Sequence, residues 1–337
     1  MRSHLGVVGL ACLALFFLPL FAGCEQQAAG ELEYPFQIVS TCGMVADIVA
    51  EVAGDNAEVA ALMGEGVDPH LYKPTRDDVA ELLDADIVFY SGLMLEGRMS
   101  DTFTQVGRSG KPVFAVTEGI DESYLREPPE FAGHFDPHVW MDVHAWSECV
   151  ALVARELGNF DAAHAAEYQK NAEQYRAELK RMDEYARESI ASIPPGQRLL
   201  ITAHDAFGYF ARAYDIEVMS AQGITTESEP GLDDINRLVD AIVERKVQAI
   251  FVESSVSNKN VQAIVEGAAD RGHTVIIGGS LYSDAMGPAG TYEGTYIGMM
   301  DHNATTIARA LGGEAPAEGL NGKLTTARER AAAQTDL

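Results

Sequence analysis

The chain has 337 residues, enough for one large or two ordinary domains, and its apolar fraction of 47% supports a buried core. It carries 51 acidic against 24 basic residues, which gives a net charge of −27. This balance argues against nucleic acid or an anionic membrane surface as an electrostatic partner, and it suits a protein that attracts cations.

The N-terminus has the composition of an export signal. Arg2 supplies a positive charge, a long apolar run follows, and two small residues precede Cys24. A permanent membrane span is the alternative, but the run is short for a bilayer and Pro19 interrupts it. The stretch resembles a bacterial lipoprotein signal, in which this cysteine is lipidated and becomes the new N-terminus. Phe21 stands where that pattern usually has leucine, so an ordinary cleaved signal remains an alternative.

From residue 36 onward, short apolar runs alternate with amphipathic helical stretches. Gly54 predicts the end of the first helix, and Thr75 predicts the start of the second as its N-cap, with Asp78 three residues on. Strands that alternate with helices indicate a parallel α/β layer. The predicted strands of this half are 36–41, 58–63, 86–92 and 113–119, and the predicted helices are 43–54, 75–85 and 96–107.

The second half repeats this scheme after a long charged stretch. Residues 161–192 contain neither Gly nor Pro, and Pro194 follows them. They predict one helix of roughly 48 Å at ~1.5 Å per residue, either a surface helix or, as we favour, a helix that spans two lobes and limits their hinge motion. The later predicted strands are 198–204, 217–223, 249–255 and 274–280, and the helices are 206–214, 232–246 and 260–272.

These patterns predict an α/β protein of two lobes joined by one long rigid helix. Each lobe is expected to hold a four-stranded, mainly parallel sheet flanked by helices. The predicted segments are a signal peptide at 1–23, a tether at 24–35, an N-terminal lobe at 36–160, a linker helix at 161–193 and a C-terminal lobe at 194–337.

Two cysteines remain once the signal and the lipid site are set aside. Cys42 lies near a strand end and Cys149 lies in a helical pattern. An extracytoplasmic compartment allows a disulfide. Two cysteines do not make a disulfide framework, so we interpret both as buried packing residues.

Three of the nine histidines stand at the ends of predicted strands. His70 follows the second strand, His138 ends the long loop after the fourth, and His204 lies at the end of the fifth. In open parallel sheets, ligands bind outside the carboxyl ends of the strands. The three histidines therefore predict a metal site at that edge. His164, in the charged long helix, is interpreted as solvated.

The tripeptide Asp-Pro-His occurs twice, and it places His70 and His138 on stiff loops. A stiff loop loses less entropy when its histidine binds a metal. Asp68 and Asp136 are candidates to orient these loops or rings as hydrogen-bond acceptors. The polar loop after the eighth strand offers Asp284 as a fourth ligand. Imidazole nitrogens with a carboxylate suit zinc and other first-row transition metals.

These motifs together resemble a known family. The segments "MGEGVDPHLYKPTRDDV", "FDPHVWMDV", "ITAHDAFGYFARAYDIEV", "IFVESSVSNKNV" and "LYSDAMGPAGTYEGTYIGMMDHN" are similar to the zinc/manganese-binding solute-binding proteins of ABC importers, the TroA-like family with its chelatase-like fold. The resemblance covers residues 36–312. It implies two βα lobes joined by one long helix, with a metal in the cleft. The ligands it implies are His70, His138, His204 and Asp284.

The resemblance also bears on a second carboxylate and on the metal. Glu253 matches a family carboxylate beside the site, although a strand-end charge at a lobe surface is an equal alternative. Manganese-dedicated members commonly have glutamate where this chain has His204, whereas zinc-dedicated members often carry a long histidine- and acid-rich loop before the second ligand. Here that loop is short and holds only His134 besides His138. Three nitrogens and one carboxylate favour Zn²⁺, with Mn²⁺ as the alternative, at one ion per chain.

The function predicted from the sequence is capture of a divalent metal outside the cytoplasm and its delivery to the membrane subunit of an ABC permease. The protein is expected to be a monomer held to a bacterial membrane by lipid on Cys24, facing the periplasm or the cell exterior. An adhesin-type surface lipoprotein with the same fold is one alternative. A zinc hydrolase is another, but no His-Glu-x-x-His motif is present and four protein ligands indicate a closed site.

Overall fold

The first lobe is built on four parallel strands in the order β2-β1-β3-β4. The central strands β1 and β3 are buried because their residues are almost all apolar, and Val39 pairs with Val88 at the middle of the sheet. The computed structural model describes residues 32–325, so the predicted signal and Cys24 lie outside the described residues. The elements of this lobe are β1 (Phe36–Ser40), α1 (Gly43–Ala53), β2 (Ala57–Ala61), α2 (Arg76–Asp84), β3 (Ile87–Tyr90), α3 (Ser100–Arg108) and β4 (Val113–Ala115).

The start of α2 confirms the predicted cap. The Thr75 hydroxyl accepts the backbone N–H of Asp78 at 3.2 Å, and the Asp78 carboxylate accepts the backbone N–H of Thr75 at 2.6 Å. Two N–H groups that the first turn leaves free are thereby satisfied, and the chain that carries His70 enters the helix at a defined position.

Two long helices follow the first sheet, α4 (Val143–Phe160) and α5 (Ala165–Ala191). The predicted linker helix thus begins four residues later than expected. The Asp161 carboxylate binds the ring of His164 at 2.7 Å and the Tyr168 hydroxyl at 2.6 Å, and these local bonds hold the segment before α5 out of the helix. At ~1.5 Å per residue, α5 is roughly 40 Å long. His164 keeps 34% of its side-chain surface exposed while its ring contacts Asp161, so it is only partly solvated.

The long helix α5 is packed rather than free-standing. It lies against α1, α4 and the last described helix, α9 (Tyr296–Ala310). One face is buried because apolar and aromatic residues recur along it at helical spacing. The largest of these buried residues are Tyr168, Tyr175, Leu179, Met182 and Ile190.

The second lobe contains the other four predicted strands, all paired in parallel. The hydrogen-bonded ladders join β5 to β6 and β7 to β8, giving two two-stranded sheets where one four-stranded sheet was expected. Strands β5 and β7 lie side by side, although no backbone ladder joins them among the described residues. At their carboxyl ends the contact is made by a side chain instead, because the Glu253 carboxylate accepts the backbone N–H of His204. The elements are β5 (Leu199–Thr202), α6 (Gly208–Tyr214), β6 (Glu217–Ser220), α7 (Leu232–Arg245), β7 (Ala249–Glu253), α8 (Lys259–Asp270), β8 (Ile276–Leu281) and α9 (Tyr296–Ala310).

All of these elements belong to one compact unit that begins at Tyr34. Within residues 32–325, no helix is long and apolar enough to cross a membrane. Cys42 and Cys149 are both buried and free, which confirms their interpretation as packing residues. The main role of this framework is to bring the ends of β2, β5 and β8, and the loop that precedes α4, to one place.

Candidate metal centre

Four side chains that are far apart in the sequence meet between the two lobes. His70 lies in the loop after β2, His138 in the turn before α4, His204 two residues beyond β5, and Asp284 three residues beyond β8. One nitrogen or oxygen atom from each lies within 4.8 Å of the corresponding atoms of the other three. The structure therefore brings together all four ligands proposed from the sequence.

The distances between these atoms match the edges of a small coordination polyhedron. The Nε2 atom of His138 lies 3.3 Å from that of His70 and 3.4 Å from that of His204. The Asp284 carboxylate lies 3.2, 3.3 and 3.7 Å from the Nε2 atoms of His204, His138 and His70. A tetrahedral zinc ion with bonds of ~2.0–2.1 Å holds its ligand atoms roughly 3.4 Å apart.

The Asp284 carboxylate is in an unusual environment for a metal-free protein. Its side chain is fully buried, and neither oxygen has a hydrogen-bond donor among the described residues. A buried carboxylate without donors is costly, because nothing replaces the water that it loses. A cation bound between this carboxylate and the three imidazoles would remove that penalty.

Asp136 orients His138 through its ring and its backbone. One oxygen of the fully buried Asp136 carboxylate lies 2.8 Å from the ring Nδ1 of His138 and accepts its backbone N–H at 3.0 Å. The other oxygen accepts the Arg126 guanidinium at 2.5 Å. A carboxylate at Nδ1 keeps the ring proton there, which leaves the Nε2 lone pair directed at the cluster.

Glu253 performs the same task for His204 from the neighbouring strand. One of its oxygens accepts the His204 backbone N–H at 2.8 Å, and the other lies 2.5 Å from the ring Nδ1. The side chain is buried, so the alternative of a surface strand-end charge was wrong. Two of the three imidazoles thus have a carboxylate behind them.

Asp68 contacts the loop of His70 rather than its ring. One oxygen accepts the backbone N–H of His70 at 2.8 Å, which closes a tight turn over the proline between them. The other oxygen accepts the hydroxyl of Thr226 from the second lobe at 2.5 Å. Asp68 therefore ties the first ligand loop to the opposite lobe.

The four clustered groups have strongly shifted protonation equilibria. Burial lowers the pKa of His70 to about 3, so this ring is neutral at pH 7. Burial also disfavours the charged form of His138, but the nearby carboxylates of Asp136 and Asp284 outweigh it and raise the pKa of His138 to about 9. The neighbouring imidazoles hold the pKa of Asp284 well below its usual range despite its burial.

Several residues around the site carry no pattern that could have identified them. The Trp140 indole donates to the Ser283 carbonyl at 2.8 Å, and the Tyr296 hydroxyl donates to the Trp140 carbonyl at 2.7 Å. These bonds join the segments that carry His138 and Asp284. Each depends on chain segments more than 140 residues apart, and an apolar or aromatic residue in the sequence gives no sign of such a partner.

A cavity of about 360 Å³ opens beside His70 and forms the outer side of the site. The Arg98 guanidinium crosses it, bonding the Glu227 carboxylate of the second lobe at 3.0 and 3.1 Å and the Leu71 carbonyl at 3.2 Å. His134 lines this cavity but does not belong to the four-residue cluster.

Comparison with known proteins gives a consistent family. The family model described as zinc-uptake complex component A, periplasmic (ZnuA), matches residues 38–310. A protein from Bacillus subtilis named manganese-binding lipoprotein MntA is 44% identical over 304 residues, covering 90% of this chain and 99% of that protein. Streptococcus sanguinis has a metal ABC transporter substrate-binding lipoprotein, SsaB, that is 30% identical over 314 residues, covering 92% of this chain and 99% of that protein.

A solved structure shows a similar fold. The zinc-binding protein TroA of Treponema pallidum is 45% identical over 274 residues, covering 81% of this chain and 88% of that protein. The structure of this periplasmic zinc-binding protein superposes with a TM-score of 0.79 over 82% of this chain and 98% of the solved chain. The parallel sheets flanked by helices and the long helix α5 are those of a two-lobed TroA-like fold.

Proposed function

Because the chain belongs to the ZnuA family of substrate-binding proteins of metal ABC transporters, we propose that it captures zinc outside the cytoplasm and delivers it to a membrane permease. Its relatives are binding proteins of importers, so the chain is not an enzyme and the hydrolase alternative is set aside. The metal is the transported cargo. It therefore has to be held firmly during capture and yet be releasable at the permease.

The observation that carries the choice of zinc is the set of donor atoms. We assign His70, His138, His204 and Asp284 as the ligands. Five contacts among them, in which Asp284 takes part through both of its oxygens, measure 3.2–3.7 Å, close to the edge of a tetrahedron around zinc at roughly 3.4 Å. Manganese prefers more oxygen ligands in an octahedral arrangement. Three imidazoles with a single carboxylate suit the softer ion better.

Asp136 and Glu253 support this assignment because each contacts the Nδ1 atom of a candidate ligand ring, the nitrogen that does not face the cluster. A metal-bound histidine usually donates its other N–H to a carboxylate or carbonyl, which fixes the tautomer and makes the ring a better donor. The hydrogen bonds of 2.8 Å to His138 and 2.5 Å to His204 have this geometry. We infer that both carboxylates raise the affinity for the metal, while Asp68 positions the loop of His70.

Manganese is the second candidate cargo. The observation in its favour is the 44% identity to the Bacillus subtilis relative named as manganese-binding. Both oxygens of Asp284 face the cluster without hydrogen-bond donors. A carboxylate that offers both oxygens would provide a fifth donor, which a larger ion could use.

Competition between the two metals tests the proposal. Protein without a polyhistidine tag, stripped with chelator and offered equal zinc and manganese, should retain one equivalent of zinc per chain. Alanine at His70, His138, His204 or Asp284 should weaken retention, whereas alanine at His164, which precedes α5 and lies outside the cluster, should not. Retention of manganese in preference to zinc would make manganese the transported metal. Two tightly bound equivalents per chain would contradict the proposal of a single site.

The remaining parts of the proposal concern the rest of the chain. We propose the lobe boundaries 36–160 and 194–337 with residues 161–193 between them, and a monomer anchored by lipid on Cys24 outside the cytoplasm. The support is the lipoprotein-like signal and the names of the relatives MntA and SsaB. Mass spectrometry of the mature N-terminus tests the anchor, because Cys24→Ala should abolish both the lipid mass and cleavage before residue 24.

A further inference from the structure

A contact between the two lobes lies directly behind one ligand of the candidate site. In the first lobe, the loop after β4 folds back on itself, with the backbone N–H of Asp136 donating to the Arg126 carbonyl at 2.8 Å. The Tyr209 hydroxyl from α6 contacts both chain segments at the point where this loop closes. It accepts the Arg126 backbone N–H at 3.0 Å and donates to the Asp136 carbonyl at 2.9 Å.

The neighbouring residue, Gly208, leaves room for the Arg126 side chain. A β-carbon added at Gly208 would overlap the guanidinium of Arg126, and no other neighbour of Gly208 comes as close. The backbone of Gly208 is not in the left-handed region, so its conformation does not require glycine. Alanine is ordinarily the better residue at a helical position. Any larger residue at this position would therefore have to displace the Arg126 guanidinium.

The contact continues from Arg126 to the ring of His138. The guanidinium donates to one oxygen of Asp136 at 2.5 Å, and the other oxygen holds the His138 ring and backbone at 2.8 and 3.0 Å. Asp136 is fully buried, so it has no water to replace a lost partner. Arg126 therefore holds one oxygen of this carboxylate while His138 holds the other, and losing Arg126 would leave the first oxygen buried without its partner.

We propose that Gly208 and Tyr209 are positioning residues for the metal site, which hold Arg126 against Asp136 and thereby fix the ring of His138. The inference rests on the proposed role of His138 as a ligand. Because α6 begins four residues after His204, the same segment that carries one ligand aligns another from the opposite lobe. Helix α6 thus connects His204, the histidine of the second lobe, to the contacts that hold His138 in the first lobe.

The test is a zinc competition assay on the full mature protein with a chromophoric chelator. Gly208→Ala should displace the guanidinium and weaken zinc binding by about tenfold or more, the range typical for losing support behind a metal-bound histidine. Gly107→Ala in α3 is the matched control, because a β-carbon there meets nothing within 4 Å, and it should leave affinity unchanged. Cobalt(II) absorption should change in the Gly208 variant, which a loss of general stability would not produce.

A double-mutant cycle shows whether Gly208 acts through the arginine. If it does, Gly208→Ala combined with Arg126→Ala should bind zinc no more weakly than Arg126→Ala alone. Additive losses, or a Gly208→Ala affinity equal to that of the Gly107 control, would overturn the inference. Should Gly208→Ala fail to fold, a second variant is available. Tyr209→Phe keeps the aromatic ring and removes both hydrogen bonds of the Tyr209 hydroxyl, to the backbone of Arg126 and of Asp136. An unchanged zinc affinity in that variant would overturn the inference as well.

A separate variant distinguishes this inference from the proposed function. If His138→Ala binds zinc as tightly as the natural sequence, the ligand assignment itself fails. If His138→Ala weakens binding while Gly208→Ala and Tyr209→Phe do not, the metal site stands and only the positioning role is refuted.

Discussion

Replacing Glu253 with glutamine should weaken zinc binding while preserving the shape of the site. The natural carboxylate accepts two N–H groups of His204, one from the backbone at 2.8 Å and one at the ring Nδ1 at 2.5 Å. A glutamine amide has one acceptor and one donor end, so in either orientation one N–H group of His204 faces another N–H. If the ring moves its proton to Nε2, the atom that would bind the metal is blocked.

The size of the effect follows from this loss of one acceptor. Loss of a partner behind a metal-bound histidine typically weakens binding 10- to 100-fold. At about 1.4 kcal/mol per tenfold change, this corresponds to about 1.4–2.8 kcal/mol of binding free energy. At equal, saturating free zinc, the stabilisation of the folded protein by the metal should fall by the same amount, because both reflect the same dissociation constant.

The assay is competition for zinc against a chelator of known affinity, supported by thermal unfolding with and without metal. Glu173→Gln, an exposed change of the same chemistry in α5, is the control and should behave as the natural protein does. A Glu253→Gln affinity within twofold of the natural protein would refute the role of this carboxylate in setting the tautomer of His204.

Three further outcomes are expected. Thr75→Ala removes the cap of α2 and should lower the free energy of unfolding by about 1 kcal/mol in urea titrations, and an unchanged midpoint would contradict the role of the cap. Although burial disfavours its charged form, the nearby carboxylates of Asp136 and Asp284 raise the pKa of His138 to about 9, so a proton must leave this ring when zinc binds at pH 7. Apparent zinc affinity should therefore fall as pH falls below about 9, with proton release in calorimetry, and equal affinity at pH 6 and 8 would contradict this. Because α5 packs along its length against α1, α4 and α9, X-ray scattering should give nearly equal radii of gyration with and without zinc, and a large change would contradict a rigid connection.

The ligand positions could be predicted from the sequence because they depend on strand ends. Apolar runs locate the strands, parallel strands place their carboxyl ends at one edge, and polar side chains just beyond them are then neighbours in space. His204 and Asp284 lie two and three residues beyond β5 and β8, whereas His70 and His138 lie farther along the loops that follow β2 and β4. The repeated Asp-Pro-His motif adds a local signal, since its aspartate accepts the histidine N–H two residues on in both copies.

The supporting contacts could not be predicted in the same way, because they depend on the packing of distant segments. Arg126 and Gly208 are 82 residues apart, and a glycine before an aromatic helix gives no sign that a guanidinium will lie on it. Hydrophobic patterns likewise located β5 and β7 but not the absence of a ladder between them. The start of α5 was misplaced because the side-chain bonds of Asp161 compete with the helix locally.

X-ray absorption at the zinc edge, on protein loaded with one equivalent, tests the central claim most directly. The account predicts a shell of nitrogen and oxygen neighbours at ~2.0–2.1 Å with scattering from three imidazoles and no sulfur. The His204→Ala variant, loaded in the same way, should lose one imidazole from that shell. A shell of six oxygen-type neighbours at longer distances, or the same three imidazoles in His204→Ala, would contradict the assignment of His70, His138, His204 and Asp284 as the metal site.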